Sequence, residues 1–385
     1  RAVSEIKKAE ELYSLESRTF LESTGIYHFP LFCYLVDCGF NASIINPIIT
    51  HSTKNGNIRK VKNDKIDSKG IAKLGLSKDI PVSQFPAKLV LELRSLTRKY
   101  YDLTDERSAH INKLKGDLHT VFPQYLDVFC DVTGKTSTMI LRQYGTPDKI
   151  LRGHKKTMIE KISKASRKGL AKASERYEKL CAAANAAKTF GCQIDSIYFN
   201  IFLTLDLVEK LDSALDSILN RIRQLITFNK NEKFIQQIKL LNTIPGVGFL
   251  TAVTIMCEIG DFSAFRNPKQ LFAYFGLDPE VNESGKFVGT QLHMSKRGSR
   301  IARRAIFAVA LASIRTKRNG EGINPYLRKY YELKSGQKPK MVAIGAVMHK
   351  VCNIVFAVLR DEKAFELRSP EEHCKQYQRP ALAAA

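Results

Sequence analysis

Short apolar runs and amphipathic stretches follow one another along the first 85 residues. Residues 18–22 (RTFLE) and 42–46 (ASIIN) have the length and composition of buried strands. An apolar helix is predicted between them at 27–38, and a further helix from about 64 to 76. Because strand–helix–strand order favours parallel pairing, residues 1–85 are predicted to form an α/β domain with helices packed on the sheet.

The middle of the chain, residues 86–235, has helical periodicity almost throughout. Apolar residues spaced by three and four near its end predict a coiled-coil seam. The seam residues are Leu207, Leu211, Leu215, Ile218, Ile222 and Leu225. Between two long helical arms, 133–190 is rich in Lys and Ala and is predicted to be an inserted helical subdomain. A plain helical bundle and an oligomerisation arm explain this region equally well.

The last segment, residues 236–385, is predicted to be mostly α-helical. Two apolar helices flank a Pro-Gly-Val-Gly turn, which indicates a helix-hairpin-helix. Gly246 and Gly248 would let backbone amides approach a phosphate closely, although an ordinary helix–helix turn needs the same residues. Residues 342–360 are predicted to form a buried apolar helix. The fold class is therefore α/β plus α.

Charge is the compositional feature that points to a partner. The chain carries 61 Lys+Arg against 38 Asp+Glu, a net charge of +23, with a pI near 9.6. The charge is uneven: residues 286–360 hold 16 Lys+Arg and 2 Asp+Glu, a balance of +14, whereas residues 1–50 come to −2. Such a basic field favours nucleic acid, with affinity that falls steeply as salt rises.

Other features bear on the compartment. The eight cysteines include no CxxC pair, which argues against zinc and for a reduced, cytoplasmic compartment beside the nucleoid. No signal peptide and no uninterrupted run of eighteen apolar residues occurs, so no membrane partner is expected. The chain starts at Arg1 in helix-like sequence, and we expect an amino-terminal segment to be missing.

A serine and a basic cluster stand close together in residues 281–304 (VNESGKFVGTQLHMSKRGSRIARR). Ser284 lies in a polar turn, the common setting of a structural loop serine. A hydroxyl nucleophile beside guanidinium groups also suits attack on a phosphodiester. The cations of this cluster are Lys296, Arg297, Arg300, Arg303 and Arg304, the last three with helical spacing on one face. A second basic group, in a loop, comprises Lys54, Arg59, Lys60 and Lys62.

Three carboxylates are candidates for a metal site. Glu22 ends a predicted strand, and Asp64 and Asp67 stand three residues apart at a helix start, so both project to one face. Hard oxygen ligands of this kind suit Mg²⁺. Helix capping by either aspartate and a solvated strand end are the structural alternatives.

Several motifs together resemble a known family. ESTGIY at 22–27, SIINP at 43–47 and NDKIDSKGIA at 63–72 resemble the DEDD-type, RuvC-like (RNase H-like) domain of the insertion-sequence transposases called bridge-RNA-guided recombinases. IPGVGFLTA, FGLDPEVNESG, MSKRGSRIARRAI and GAVMHKVCNIVFAVL resemble that family's second, transposase domain. The resemblance implies a truncated RuvC-like domain, a coiled-coil middle and a serine-bearing transposase domain.

The same resemblance implies a composite active site. Its metal-binding carboxylates fall on Glu22, Asp64 and Asp67, with Mg²⁺ as cofactor, and its nucleophile falls on Ser284, which would form a phosphoserine link to DNA. The family's Gly-Ile-Asp motif, which carries its first aspartate, is absent from this sequence. The implied partners are donor and target DNA, a structured non-coding guide RNA, and further copies of the chain in a dimer or tetramer.

Three hypotheses follow. The first is a recombinase of a mobile element that cuts and rejoins DNA through Ser284. The second is a metal-dependent junction nuclease in which Glu22, Asp64 and Asp67 activate water. The third is a nucleic-acid-binding fragment without catalysis.

Overall fold

The fold is described from a computed structural model of the chain. The structure describes residues 2–22, 27–45, 64–77, 88–279, 283–284, 287–288, 293–369 and 371–372. Side chains of Ala2, Asp64, Ile66, Glu283, Ser284, Phe287 and Val288 are outside that description. The chain divides into two compact units, Arg1–Ala87 and Lys88–Ala385.

The first unit contains a parallel pair of strands. Its elements are α1 (Ala2–Tyr13), β1 (Arg18–Glu22), α2 (His28–Asp37), β2 (Asn41–Ile45) and α3 (Asp64–Ser77). β1 and β2 run parallel with Phe20 opposite Ser43, and Phe32 and Leu35 of α2 form a small core with Ala42. The predicted strands, helices and parallel pairing are therefore confirmed, with boundaries shifted by one residue or so.

Helix α3 packs against β1. A β-carbon added at Gly75 would collide with the ring of Phe20, so the glycine permits this close approach. Glu22 is the last residue of β1, and Asp64 and Asp67 lie in the first turn of α3. The predicted positions of these carboxylates at a strand end and a helix start are therefore those of the structure.

Two helices of 34 residues each form an arm in the second unit: α4 (Lys88–Val121) and, later in the chain, Asp195–Phe228. They run antiparallel, since Leu89 of the first helix and Leu225 of the second share one core, and Leu118 and Ile201 share another. The predicted seam is wrong at its start.

The error concerns the position of Leu207. Leu207 is 43% exposed, whereas Leu205 and Val208 are 2% exposed. The spacing of the leucines assigned the buried position to Leu207, one residue before Val208, whereas Leu215, Ile222 and Leu225 are buried as predicted.

The far end of the arm carries a separate helical subdomain. Its helices are α5 (Tyr125–Val128), α6 (Lys135–Gln143), α7 (Pro147–Arg152), α8 (Lys155–Ser166) and α9 (Leu170–Phe190), and the chain then returns along α10 (Asp195–Phe228). They enclose their own apolar core, which includes Tyr125, Ile140 and Leu180. The predicted inserted helical segment is thus confirmed as helical.

The near end of the arm belongs to a larger core. Its elements are α11 (Lys233–Leu241), α12 (Phe249–Ile259), α13 (Pro268–Tyr274), β3 (Glu283–Ser284), β4 (Phe287–Val288), α14 (Arg300–Ser313), α15 (Pro325–Ser335) and α16 (Lys340–Asp361). Among the described residues, α16 is the one helix long and apolar enough to cross a membrane, with mean hydropathy 2.0. Val347, Val351 and Val355 of α16 are fully buried in the core, so the predicted buried helix is confirmed.

Candidate active site and nucleic-acid interface

Ser284 lies on a short antiparallel hairpin. Glu283 pairs with Val288 and Ser284 pairs with Phe287. The structure therefore places Ser284 in a strand, paired with Phe287, rather than in the turn that the sequence suggested.

Hydrogen bonds join the chain segments that come before and after the hairpin. The amide of Ser295 donates to the carbonyl of Asp278 at 2.8 Å, and the amide of Lys296 donates to the carbonyl of Gly276 at 3.1 Å. The Ser295 hydroxyl also donates to the Asp278 carboxylate at 2.6 Å. The two chain segments that flank the hairpin are thereby held together, and the second of them leads directly into the basic helix α14.

Two glycines allow the flanking segments to pack closely side by side. Gly276 has a left-handed φ of +65°, and Gly298 lies against it: a β-carbon on Gly298 would stand 2.5 Å from the Gly276 amide nitrogen and collide with the Tyr274 carbonyl oxygen. Backbone atoms cannot move aside as the end of a flexible side chain can. The position of the basic segment thus depends on the absence of a side chain at 298.

Replacing Gly298 by alanine is expected to destabilise the second unit by about 3 kcal/mol, the range of overpacking in a tight site. Urea denaturation measures the change. The matched control is Gly345→Ala in α16, where an added β-carbon meets nothing within 4 Å. There the higher helix propensity of alanine should stabilise the chain by up to about 1 kcal/mol. Equal effects of the two substitutions would contradict this account of Gly298.

The three helical arginines have different surroundings. Arg300 is the most exposed, with 73% of its side chain accessible, and Arg304 is 33% accessible. Arg303 donates to the carbonyl of Phe275 at 3.1 Å, and partial burial lowers its pKa. Arg303 therefore braces the turn before the hairpin, while Arg300 and Arg304 lie on the side that faces α4.

An aspartate on α4 forms ion pairs with two of these arginines. Asp105 contacts Arg304 at 2.7 Å and Arg300 at 3.4 Å, and the Arg304 guanidinium lies 4.8 Å from the ring centre of Tyr101. A carboxylate held between two guanidinium groups occupies the kind of position that a phosphate oxygen takes. The arginine face is thus built to hold an anion, and Asp105 supplies one in this structure.

A buried glutamate anchors the start of the basic helix. Glu258 of α12 has 2% of its side chain exposed and receives a two-pronged ion pair from Arg98 at 2.8 and 2.9 Å. The hydroxyl of Ser299 donates to Glu258 at 2.7 Å and accepts from the Ala302 amide at 3.1 Å, so it caps α14. Burial alone would raise the pKa of Glu258, but the bonds from Arg98 and Ser299 outweigh it and lower that pKa.

Sequence reasoning missed this group. An acid in the otherwise apolar run FLTAVTIMCEI was the available signal, because a charge on a buried helix requires a partner.

Gly246 and Gly248 of the predicted phosphate-binding turn differ in their neighbours. Gly246 has φ +97°, and an added β-carbon would stand 2.5 Å from the Ser313 hydroxyl, which itself donates to the Pro245 carbonyl at 3.0 Å. The close approach at Gly246 is therefore to the end of α14. Gly248 has open space around it and precedes α12 without a side-chain cap. Of the two glycines, Gly248 is therefore the one that an external phosphate could approach.

The remaining predicted cations fall into two groups. Lys296 and Arg297 are exposed and lie immediately before α14. Lys54, Arg59, Lys60 and Lys62 lie outside the described residues.

The predicted metal-binding carboxylates are only partly described. Glu22 and Asp67 are half-buried. Within the described ranges, no group of three or more His, Cys, Asp or Glu side chains is close enough to hold a metal ion, but the Asp64 side chain is outside those ranges. The donor set fits Mg²⁺ by its chemistry, since all three are carboxylate oxygens.

Two segments of the chain match known transposase families. Residues 2–123 match a transposase family of the DEDD type named for the insertion element IS110, and residues 238–332 match the family described as Transposase IS116/IS110/IS902 family. The chain belongs to this transposase family. The second match includes the hairpin, the two glycines of its flanking segments and the basic helix. The stretch 124–237 lies outside both matches.

Individual relatives agree with the family. The insertion element IS110 uncharacterized 43.6 kDa protein of Streptomyces coelicolor is 23% identical over 286 residues, 74% of this chain and 66% of that protein. The pilin gene-inverting protein of Moraxella bovis is 30% identical over 177 residues, 46% of this chain and 52% of the relative. The transposase for insertion sequence element IS1111A of Coxiella burnetii is 26% identical over 188 residues, 47% and 50% of the two chains. The matches span between half and two thirds of these relatives' lengths.

Proposed function

We propose that this protein is the DNA recombinase of a mobile insertion element, and that Ser284 cuts and rejoins DNA through a covalent phosphoserine intermediate. The observation that carries the proposal is the placement of Ser284. It stands on a hairpin whose flanks are pinned together and whose second flank continues into the arginine-rich helix α14. Family membership supports DNA as the substrate, as do relatives named for transposition and for gene inversion.

The chemistry exchanges one phosphate ester for another. The Ser284 oxygen forms a bond to phosphorus, its proton passes to a carboxylate, and the bond from phosphorus to a deoxyribose oxygen breaks, that oxygen taking up a proton. Exposed cations such as Arg297 and Arg300 would neutralise the non-bridging oxygens as charge develops. Attack by a hydroxyl of another strand reverses the step, frees the serine and rejoins DNA without water.

The carboxylates have a supporting part in this proposal. Glu22, Asp64 and Asp67 would hold Mg²⁺, which when bound withdraws negative charge from the scissile phosphate.

We propose in addition that a structured RNA guides the reaction, and that the active form is a homo-oligomer. The motif resemblance suggests the RNA, and the net charge of +23 is compatible with it, since an RNA helix is bound by phosphate contacts and shape. Joining two DNA sites requires more than one serine, which favours a dimer or tetramer.

A covalent-adduct assay tests the proposal. Full-length protein is incubated with labelled donor DNA, target DNA and RNA from the flanks of the element, with Mg²⁺ or with EDTA. We expect a denaturant-resistant, protease-sensitive protein–DNA species that depends on Mg²⁺, with the modified peptide containing Ser284. Cleavage to free ends without an adduct would instead indicate the junction nuclease, and salt-sensitive binding without any cleavage would indicate a binding fragment.

A further inference from the structure

The subdomain at the far end of the arm has a charge that the proposed chemistry does not use. Residues 133–190 hold 14 Lys+Arg and 4 Asp+Glu, a balance of +10. The two arm helices α4 and α10 together hold 10 of each and are neutral. A basic surface that served only solubility would not stop where the subdomain joins the arm. The charge is therefore concentrated on one part of the fold, and that part lies outside both family matches.

The strongest concentration is at the turn between α8 and α9. Lys164, Arg167, Lys168 and Lys172 lie within nine residues and are all exposed. Some other cations of the subdomain are paired with carboxylates: Lys179 contacts Glu175 at 2.8 Å, and Lys188 contacts Asp148 at 2.7 Å. The four cations of the turn have no carboxylate within ion-pair distance in this fully described region. Their charge is available to an external anion.

The turn has a fixed shape. Arg167 adopts the left-handed conformation with φ 53°, the Ser163 hydroxyl donates to the Lys168 carbonyl at 2.7 Å, and the Lys168 amide donates to the Ser166 hydroxyl at 3.3 Å. Four like charges are thus held close together by local hydrogen bonds. Holding them there costs free energy through mutual repulsion, which a polyanion would relieve.

A shallow depression beside the turn extends the basic surface. It has a volume of about 280 Å³, and Lys168, Lys172, Arg176 and Lys179 line it together with the carboxylates Asp127 and Glu175. Arg176 lies over the Phe129 ring at 5.7 Å, so its guanidinium is held in place by the subdomain's own core. At the centre of the basic surface, one guanidinium is therefore positioned by packing on an aromatic ring.

We propose that residues 133–190 form a second nucleic-acid-binding module, which contacts the phosphodiester backbone of a duplex through the α8–α9 turn. A regular array of phosphates matches several fixed cations at once, as a single small anion does not. Contacts to phosphate oxygens carry no sequence information, so the module is proposed to bind a duplex without sequence preference. DNA and RNA share this backbone chemistry.

The test compares two triple variants of the full chain. Lys164→Gln, Lys168→Gln and Lys172→Gln remove charge from the turn. Lys149→Gln, Arg152→Gln and Lys188→Gln remove the same charge from exposed positions on α7 and the far end of α9. Both are made in the Ser284→Ala chain, so that DNA stays intact and the result does not depend on whether Ser284 is the nucleophile. Fluorescence anisotropy with a DNA duplex and with an RNA duplex, at several salt concentrations, gives Kd and its salt dependence.

For the turn variant we expect Kd to rise about tenfold or more. We also expect the slope of log K against log salt to fall by roughly 2 to 3, since each lost phosphate contact removes about 0.9. The control should stay within about twofold. A Lys→Arg triple at 164, 168 and 172 should restore both values. If affinity falls for only one of the two duplexes, the module is assigned to that nucleic acid. Equal losses in both triple variants, or no change in the turn variant, would overturn the proposal.

Discussion

Replacing Ser284 by alanine is expected to abolish recombination and the covalent protein–DNA adduct, with a rate loss of at least about 10³-fold. Loss of a nucleophilic hydroxyl leaves nothing that can carry the DNA end, whereas binding uses other side chains and should persist. The measurement is joint formation between donor and target DNA, followed by denaturing gel analysis for the adduct. Kd for DNA, measured in parallel, should change less than threefold.

The matched control is Ser217→Ala. Ser217 is an exposed serine on α10 whose hydroxyl donates only to the Ser213 carbonyl, at 2.9 Å. Its replacement should leave recombination unchanged. Normal recombination by the Ser284→Ala chain, with an adduct still forming, would exclude the serine from the chemistry. The alternative would then be the junction nuclease, in which the carboxylates activate water.

The second large effect is expected at Glu258. Glu258→Ala removes the acceptor for Arg98 and Ser299, and should destabilise the second unit by about 2–3 kcal/mol. This is less than the 3–5 kcal/mol typical when a fully buried pair is broken, because 53% of the Arg98 side chain reaches solvent. Urea denaturation gives the value. DNA affinity should also fall, since the Ser299 cap that starts the basic helix loses its fixed orientation.

Acid pH provides an independent check on Glu258. Its pKa is lowered in the folded chain, so its contribution to stability is complete above the ordinary glutamate pKa of about 4.3 and is lost as pH falls through the folded value. The wild-type chain should therefore lose more stability below about pH 4.3 than Glu258→Gln, which keeps the shape and cannot titrate. Parallel stability curves for the two chains across that range would show that the carboxylate has no such role.

The sequence predicted secondary structure well where local pattern decides it. The strand at 18–22 and the buried helix at 342–360 were predicted nearly to the residue, because runs of apolar residues between polar ends leave little choice. The register of the long helix Asp195–Phe228 was harder. Leucines at 205 and 207 both extend an apolar series, and the choice between them is made by α4, a partner about a hundred residues earlier.

The sequence indicated the residues of the candidate site, but not the long-range contacts that position them. A serine before a basic helix is visible in the chain, whereas the contacts that position it join distant segments. Glu258 reaches Arg98 across 160 residues, and Asp105 reaches Arg300 across 195. Gly298 shows the same limit: a glycine next to arginine in sequence gives no sign that Tyr274 lies against it.

The length of the α4–α10 arm can be compared with the repeat of duplex DNA. A helix of 34 residues is about 50 Å long at 1.5 Å per residue, and duplex DNA rises about 3.4 Å per base pair. The length of the arm therefore corresponds to about 15 base pairs of duplex. If both ends touch one duplex, nuclease footprinting should show protection in two patches separated by more than one helical turn.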